Sequence, residues 1–415
     1  MPELAATSTP TLDRSPSCSR AERAGGAGIR LAIAGGGTGG HLVPGLHLCR
    51  SSLADLADVL WLTSGRAVEA RVLADLSWKL AGATCERVAL DLERQGGGAP
   101  SRPALLLRSA PAVLRARRAL EAHDSDVLLG LGGFACLPSV LAARSLGIPV
   151  ALLEMNAVQG SATRWLAPFA RRVLHVWPGS VPTTGESVRG SGGSVRATRE
   201  RTPDPTHVHV GPPLDPEFDA REIPAEEVAG ARADLGFDPD RPLLLVLGGS
   251  QGASALNRFV ASEAPALVGS GLQILHQTGP GKRLEGRETF AGYRAVEYIE
   301  DVHRALCAST LVLTRGGASA LAEIAAVGRP AIVVPYPHHD DRHQERNAHE
   351  LGDGVCILDE AELASFGRAE IARLAAPSAQ GERDRMSAHL RAALPADGAS
   401  RILAVLASLS RRRSA

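Results

Sequence analysis

Two stretches of the chain share one pattern: RLAIAGGGTGGH at residues 30–41 and LLLVLGGSQGA at residues 243–253. Each starts with a short apolar run, continues into a glycine-rich loop and ends where a helix pattern begins. A strand, a glycine loop and a helix form the opening unit of a parallel α/β domain, and such a loop brings backbone N–H groups close to a phosphate. The sequence therefore predicts two similar domains, one in each half of the chain.

The rest of the chain follows the same alternation. Its 415 residues are enough for two or three domains. Short apolar strand patterns alternate with longer amphipathic stretches, which predicts an α/β fold with two Rossmann-like, doubly wound parallel sheets. The predicted strands of the first half are residues 30–34, 58–63, 126–130, 149–153 and 172–176. Those of the second half are residues 243–248, 272–276, 295–299, 309–314, 330–334 and 354–358.

Composition also suggests where the domains end. We expect a disordered tail at 1–28, an N-terminal domain at 29–177, a flexible linker or insertion at 178–206, a C-terminal domain at 207–378, and a helical segment at 379–415 that returns to the N-terminal domain. The tail and the linker are rich in Ser, Thr, Gly and Pro and lack apolar periodicity. Two facing domains place the carboxyl ends of both sheets on one cleft, where open α/β sheets bind ligands.

Charge and cysteine content exclude several classes of protein. The chain has 45 basic and 45 acidic residues, so no bulk charge attracts it to nucleic acid, and we expect no nucleic-acid partner. None of the six cysteines has the paired spacing of a zinc or redox motif, which favours a reducing compartment. No run approaches the roughly 20 apolar residues of a membrane span. We expect an intracellular protein whose contact with a membrane is peripheral.

The first glycine loop, residues 35–40, satisfies the GxGxxG pattern of dinucleotide-binding folds. That interpretation also requires an acid at the end of the second strand, where this chain has Leu-Thr-Ser at 62–64. The missing acid argues against a nicotinamide or flavin cofactor, and we expect no cofactor. His41 follows the loop at the start of a helix, where an imidazole can accept a proton near neutral pH. A purely structural glycine turn is the competing interpretation.

Two later loops also suit an anionic ligand. Ser250 and Gln251 add hydroxyl and amide donors to the second glycine loop, although serine is also an ordinary helix cap. RGGASALAE at 315–323 follows the apolar strand 309–314, and its small residues would bring a helix N-terminus to an anion. Glu323 lies within that helix, where its carboxylate could accept two ribose hydroxyls. The alternative is a solvated helix glutamate.

A polar segment at 335–348 is rich in histidine and aspartate and invites a metal interpretation. No second ligand cluster elsewhere completes such a site, and polar loops of this kind often bind hydroxyls. Two DxD patterns, at 124–126 and 238–240, precede predicted strands, which is the wrong end of a parallel sheet for a nucleotide. We therefore assign no metal ligand.

These motifs in this order resemble one family, the MurG-type peptidoglycan N-acetylglucosaminyltransferases of glycosyltransferase family 28. The shared motifs are GGGTGGH at 35–41, GLGGF at 130–134, SLGIP at 145–149, EMN at 154–156, GGSQGA at 248–253 and HQERNA at 343–348. The resemblance covers nearly the whole chain after residue 28. It implies the GT-B fold and an inverting, metal-independent transfer of GlcNAc from UDP-GlcNAc to the 4-hydroxyl of undecaprenyl-diphosphate-linked MurNAc, converting lipid I to lipid II.

The resemblance also implies the roles of individual residues. His41 is the candidate catalytic base. The acceptor-side residues are Thr38, Gly39, Gly40, Glu154 and Asn156. The residues implied to bind UDP-GlcNAc are Ser250, Gln251, Ile299, Ala318, Ser319, Ala320, Leu321, Ala322, Glu323, His343, Gln344 and Asn347.

In several places the chain departs from the family pattern. Met155 stands where the family has Gln, and Ala157 where it has Gly. The run at 134–138 replaces a Tyr-Val-Ser-Gly-Pro-like segment. The run HVGPPLD at 209–215 lacks the Asn and Arg of a GNPVR-like motif, so we assign no nucleotide-binding arginine there.

Location and partners follow from the resemblance and from one basic helix. Residues 102–118 interleave leucines with arginines without an acid, which suits an anionic inner-leaflet membrane surface or, alternatively, a helix with one buried face. We expect a peripheral protein on the cytoplasmic face of the plasma membrane, with other cell-wall synthesis and division proteins as possible partners. The alternatives are a UDP-GlcNAc epimerase, another GT-B nucleotide-sugar enzyme, an NAD-linked oxidoreductase, which the missing acid disfavours, and a non-enzymatic nucleotide-sugar scaffold.

Overall fold

The computed structural model describes residues 28–36, 39–66, 69, 73, 84–92, 102–133, 135–184, 202–203, 206–218, 221–282, 289–339 and 341–410. Residues 1–27 of the expected tail at 1–28, and most of the expected linker at 178–206, lie outside these residues. The strands in chain order are β1 (Ile29–Gly35), β2 (Leu56–Thr63), β3 (Thr84–Ala89), β4 (Val127–Gly132), β5 (Val150–Glu154), β6 (Arg172–His175), β7 (Thr183–Thr184), β8 (Thr202–Pro203), β9 (His207–His209), β10 (Leu243–Leu247), β11 (Gln273–Gln277), β12 (Thr289–Phe290), β13 (Tyr293–Val296), β14 (Leu311–Thr314), β15 (Ala331–Val333) and β16 (Val355–Ile357).

Fourteen of these strands form two seven-stranded sheets, which confirms the predicted fold class. The first sheet has the order β3-β2-β1-β4-β5-β6-β9 and is parallel throughout. The second has the order β12-β13-β11-β10-β14-β15-β16, with only the β12–β13 pair antiparallel. The strands of the two opening units, β1 and β10, lie inside their sheets, and Leu31–Ala34 and Leu243–Val246 are fully buried. Burial on both faces explains why these strands read as continuous apolar runs.

The helices pack on the faces of the two sheets. Those of the first half are α1 (Gly39–Ser51), α2 (Arg102–His123), α3 (Cys136–Ser145) and α4 (Ser161–Leu166). Those that follow are α5 (Ala225–Asp234), α6 (Ser254–Gly269), α7 (Val302–Ala308), α8 (Ala318–Val327), α9 (His343–His349), α10 (Leu363–Ala375), α11 (Gln380–Ala393) and α12 (Gly398–Leu409). One continuous cluster of buried apolar side chains runs from β1 through α1 and α8 to β10.

The first domain extends further along the chain than the sequence predicts. Strand β9 pairs with β6, with His207 opposite Val173 and His209 opposite His175. Residues 207–209 therefore belong to the first sheet, and the expected start of the second domain at residue 207 is corrected to a point after β9. The strand has three residues and reads His-Val-His, so it carries no apolar run that sequence analysis could detect. Within 178–206, β7 and β8 form a small antiparallel pair.

The C-terminal segment divides between the two domains. Helix α11 packs on α8 in the second domain, whereas α12 packs on α1 and β4 in the first. The expected return to the N-terminal domain is therefore made by α12 and not by the whole of 379–415. The stretch Pro377–Leu409 is apolar and long enough to be considered as a membrane span. It is interrupted at residues 394–397, and neither helix approaches the roughly 20 residues that a span requires.

Loops at the carboxyl ends of the strands are held against one another by glycines. In the second domain, Gly252 has φ 66° and Gly279 has φ 93°. A Cβ at Gly252 would lie 1.9 Å from the Thr278 carbonyl oxygen, so the loops after β10 and β11 touch through backbone atoms. In the first domain, a Cβ at Gly133 would lie 2.1 Å from the Gly36 carbonyl oxygen. In each domain, loops from two strands thus form one close-packed wall.

Candidate functional site

The loop after β5 supplies one wall of the cleft, and Glu154 organises it. One carboxylate oxygen accepts the Asn156 backbone N–H at 3.0 Å, and the other accepts the Gly160 N–H at 2.8 Å. The Trp177 indole N–H donates to the Met155 carbonyl at 2.6 Å and fixes the middle of the loop. Glu154 is 3% exposed. Both oxygens of this predicted acceptor-side residue therefore hold backbone groups of its own loop.

Asn347 joins this loop to the second domain. Its side-chain oxygen accepts the Ala157 N–H at 2.7 Å, and its amide nitrogen donates to the Gly316 carbonyl at 3.0 Å and to the Asn156 side-chain oxygen at 3.2 Å. Asn347 is fully buried. The structure thus brings together two predicted site residues that lie in different domains and were assigned to different substrates.

Helix α1 carries the predicted catalytic residue on its first turn. His41 is the third residue of α1, after Gly39 and Gly40. The His41 side chain and the whole of Thr38 lie outside the described part of the structure. The strand-loop-helix arrangement predicted for residues 30–41 is confirmed at its strand and its helix.

Further along α1, a small cavity lies between the two domains. The residues that line it are Val43, Pro44 and His47 of α1, Met155, Pro212, Pro213 and Leu214, and Ser319, Ala322 and Glu323 of α8. Burial lowers the pKa of His47 to about 4, so this imidazole is neutral at physiological pH. The Arg50 guanidinium donates to the Asp215 carboxylate at 2.8 Å and ties the end of α1 to the segment that leaves the first domain.

Glu323 faces this cavity from α8. It is 9% exposed, and burial raises the pKa of its carboxyl to about 8. Burial first, and then the Glu323 and Glu300 carboxylates, raise the pKa of the Tyr298 hydroxyl. The solvated glutamate considered from the sequence is therefore wrong. A buried carboxyl facing a cavity is suited to accept hydroxyl groups of a ligand.

The first turn of α8 presents fewer free donors than predicted. Gly317 precedes the helix in an extended conformation, and the Leu321 N–H already donates to the Gly317 carbonyl at 3.0 Å. The side chains of Leu321 and Ala322 are fully buried. Of the predicted donor residues here, Ala318, Ser319 and Ala320 retain the N–H groups that an anion can use. Leu321 and Ala322 support the turn from within the core.

The second glycine loop is open to solvent. Ser250 and Gln251 are exposed in the turn between β10 and α6. The Gln277 side chain connects this loop with the next strand end, because it donates to the Gly249 carbonyl at 3.2 Å and accepts the Ile299 N–H at 3.4 Å. The sequence patterns did not identify Gln277 as a site residue. The feature that could have identified it is its place at the carboxyl end of β11, the strand that pairs with β10.

Besides the contacts of Asn347, two contacts within the segment at 335–348 shape its turn. The Gln344 side-chain oxygen accepts the Tyr336 N–H at 3.0 Å, and His343 pairs with Asp341 at 2.7 Å. Asp340 lies outside the described residues. Within the described ranges, the cluster of side chains spaced closely enough to hold a metal is Glu217, Asp301 and His303, which includes no residue of this segment.

Comparisons with known proteins match both halves of the chain to one family. Residues 31–175 match the glycosyltransferase family 28 N-terminal domain, and residues 243–389 match the family 28 C-terminal domain. A UDP-N-acetylglucosamine–N-acetylmuramyl-(pentapeptide) pyrophosphoryl-undecaprenol N-acetylglucosamine transferase of Sorangium cellulosum is 36% identical over 398 residues, covering 92% of this chain and 89% of that protein. The protein of the same name from a Synechococcus species is 33% identical, covering 92% of this chain and 96% of that protein.

Solved structures have the same two-domain architecture. Acinetobacter baumannii MurG superposes with a TM-score of 0.65 at 24% identity, covering 92% of this chain and 99% of that one. A calicheamicin glycosyltransferase superposes with a TM-score of 0.58 at 17% identity, covering 92% and 98% of the two chains. At these identities the likeness concerns the fold alone, and it agrees with the expected GT-B fold.

The contacts of Asn347 predict how the two domains respond to its removal. In Asn347→Ala, the Ala157 N–H loses its acceptor. Loss of a buried hydrogen bond costs about 1 kcal/mol or more, so the Ala157 N–H should exchange at least about fivefold faster. Hydrogen–deuterium exchange of a peptide covering residues 155–160 measures this change.

Asn156→Ala is the matched control for this measurement. It leaves the Ala157–Asn347 bond in place, so it should retain the protection of Ala157. The Gly160 N–H, which Glu154 holds, should exchange at the same rate in all variants. Unchanged exchange of Ala157 in Asn347→Ala would show that this bond does not hold the domains together in solution.

Proposed function

The chain belongs to the family of UDP-N-acetylglucosamine–N-acetylmuramyl-(pentapeptide) pyrophosphoryl-undecaprenol N-acetylglucosamine transferases, and we propose on that basis that it transfers GlcNAc from UDP-GlcNAc to the MurNAc 4-hydroxyl of lipid I, producing lipid II. It is a hexosyltransferase of peptidoglycan synthesis with the GT-B fold. The identity extends over both domains, which supports assigning a donor wall and an acceptor wall to the same chain.

The observation that carries this assignment is the contact between Asn156 and Asn347. The family resemblance gives Asn156 to the acceptor wall and Asn347 to the donor sugar, and their side chains are 3.2 Å apart. A direct displacement requires the acceptor hydroxyl and the anomeric carbon to approach to about 3–3.5 Å. Domains that place these two side chains in contact can bring the two reacting groups to that distance once substrates replace the contact.

The donor would occupy the carboxyl end of the second sheet. We assign the diphosphate to Ser250, Gln251 and the free N–H groups at the start of α8, because helix N-termini favour negative charge. The Ile299 backbone would bind uracil, Glu323 the ribose hydroxyls, and Gln344 the sugar. The effect of the Glu323 carboxylate on the pKa of Tyr298, the residue before Ile299, supports this arrangement.

Chemistry at the anomeric carbon would proceed with inversion. The acceptor hydroxyl loses its proton to His41 as it attacks, and the bond to the UDP oxygen breaks on the opposite face of the sugar. Negative charge then develops on the diphosphate, where backbone N–H groups and helix dipoles stabilise it. On this proposal the reaction needs no divalent ion.

The central test is transfer of radiolabelled GlcNAc from UDP-GlcNAc to a short-chain lipid I analogue in the presence of EDTA. We expect acceptor-dependent product. His41→Ala should reduce kcat by about 100-fold or more, with little change in donor affinity. His349→Ala, at an exposed position on α9, is the matched control. Release of UDP without acceptor would favour an epimerase or hydrolase, and tight UDP-GlcNAc binding without turnover would favour a scaffold.

The surface at residues 161–172 is our proposed contact with an anionic inner leaflet. Trp165 and Phe169 are 46% and 42% exposed, and the segment contains three arginines and no acid. Aromatic side chains flanked by cations suit the interface of a membrane. The helix predicted for this role, α2, is less suited, because Arg115 pairs with Asp91 and Arg117 donates to Ser145. The terminal arginines at 411–413 lie outside the described residues.

Replacing both aromatic side chains should weaken membrane binding. We expect Trp165→Ser with Phe169→Ser to reduce partitioning onto phosphatidylglycerol-containing vesicles by about tenfold, because each exposed aromatic buries apolar area in the interface. Vesicle co-sedimentation measures this. Phe366→Ser, at a 58% exposed position in the second domain, is the control and should bind as the unmodified protein does. An equal loss in both variants would contradict the assignment of this surface.

The raised pKa of Glu323 predicts how donor affinity depends on pH. Below pH 8 the free protein favours the protonated carboxyl, yet the ionised form accepts both ribose hydroxyls. The affinity for UDP-GlcNAc, whose diphosphate diester does not titrate in this range, should therefore rise about tenfold between pH 6.5 and pH 8. Glu323→Gln should bind more weakly and independently of pH. Isothermal titration calorimetry measures both, and a pH dependence retained in Glu323→Gln would contradict this role.

A further inference from the structure

Lysine is rare in this chain, and one of its lysines lies at the donor wall. Of 45 basic residues, only Lys79 and Lys282 are lysines. Lys282 follows β11, and its ammonium donates to the Gly252 carbonyl of the GGSQGA loop at 3.0 Å. We propose that Lys282 binds the diphosphate of the nucleotide-sugar donor and neutralises charge on it as it leaves. This inference rests on the function proposed above.

The position of Lys282 is fixed by the close packing of two loops. Asn257 donates to the Thr278 carbonyl at 2.9 Å and accepts from His276 at 3.0 Å, so the start of α6 is tied to the end of β11. Thr278 and Gly279 lie against the backbone of Gly252. Lys282 comes three residues after Gly279, and its stem therefore starts from an anchored turn.

The ammonium retains the capacity to bind an anion. It has three donors, and the Gly252 carbonyl uses one of them. Among the described residues, none of the ion pairs involves Lys282, and the residue is half-buried. A cation held beside exposed backbone donors, with no carboxylate from the described chain, is suited to a phosphate.

Two arginines near the cleft are already engaged. Arg315, at the end of the neighbouring strand β14, pairs with Glu360 and donates to the Val334 carbonyl at 3.0 Å. Arg50 pairs with Asp215, which stands where the family motif has an arginine. Lys282 therefore supplies a positive charge that these two arginines do not.

The chemistry at this point also favours lysine over arginine. The loops approach so closely that Gly252 has no room for a Cβ, and an ammonium is a compact point charge, whereas a guanidinium is a broad planar fork. In a chain that uses arginine at almost every basic position, a lysine here is consistent with a local steric requirement. This requirement predicts that arginine at position 282, in Lys282→Arg, will only partly preserve diphosphate binding.

The test compares UDP-GlcNAc with uridine, which lacks the diphosphate. In Lys282→Met we expect the affinity for UDP-GlcNAc to fall about tenfold or more and the affinity for uridine to change less than twofold, as measured by calorimetry. The affinity of Lys282→Arg for UDP-GlcNAc should lie between those of the unmodified protein and Lys282→Met. Lys79→Met, at the only other lysine, is the matched control and should bind both ligands as the unmodified protein does.

A second measurement uses the scarcity of lysine directly. Reductive methylation with 13C-formaldehyde labels the two lysine side chains and the terminal amine, and Lys282→Arg assigns the Lys282 signal by its loss. That signal should shift when UDP is added and remain unchanged with uridine. Unchanged affinity in Lys282→Met, or equal losses for both ligands together with a lower melting temperature, would overturn the proposal and leave Lys282 as a purely structural residue.

The test of Lys282 can be distinguished from a failure of the proposed GlcNAc transfer. If the unmodified protein prefers another nucleoside diphosphate sugar, the GlcNAc-transfer assignment fails. In that case the same comparison, made with that nucleoside diphosphate and its nucleoside, still decides the role of Lys282. A diphosphate-specific loss supports the role with any donor, and its absence contradicts it.

Discussion

The site depends on how closely backbone can approach backbone at the ends of the parallel strands. Loops that follow adjacent strands must share one narrow edge of a sheet, and side chains between them would push them apart. In this protein Gly252 takes a positive φ and lies directly against Thr278, while Gly133 lies against Gly36. The resulting walls are made of peptide groups, which present donors at fixed positions. Catalysis by fixed dipoles requires this kind of preorganised surface.

The interface between the domains is unusual in its protonation states. His47 and Glu323 face the same small cavity, and burial drives both toward their neutral forms. A charged side chain in this cavity would need an oppositely charged partner or water to offset its desolvation. The neutral forms of His47 and Glu323 need neither. On the proposed function, a ligand that offers hydroxyl donors to Glu323 favours the ionised carboxylate.

Sequence patterns predicted the central strands of both sheets, because parallel strands that are buried on both faces read as continuous apolar runs. The missed strands of the two large sheets, β3, β9 and β12, are all edge strands with mixed, polar or exposed residues, so burial did not mark them. For the candidate site, the sequence named residues but not the hydrogen bonds that those residues make in the fold. The family resemblance gave Glu154 as an acceptor-side residue, yet its oxygens hold its own loop. Leu321 belongs to the right motif but its N–H already has an acceptor. Such details depend on three-dimensional hydrogen bonding, which spacing along the chain does not encode.

The return of α12 to the first domain has a consequence for how the protein is made. The chain crosses between the domains at two places, and these lie together: a Cβ at Gly211 would touch Pro395, and one at Gly398 would touch the Pro212 carbonyl. Ile402 and Leu406 of α12 are fully buried in the apolar cluster that contains Leu31 and Leu129 of the first sheet. The ribosome delivers those two side chains only after the entire second domain has been synthesised. The first domain to be translated is thus the last to be completed, because the apolar face that α12 covers stays open until α12 has been made.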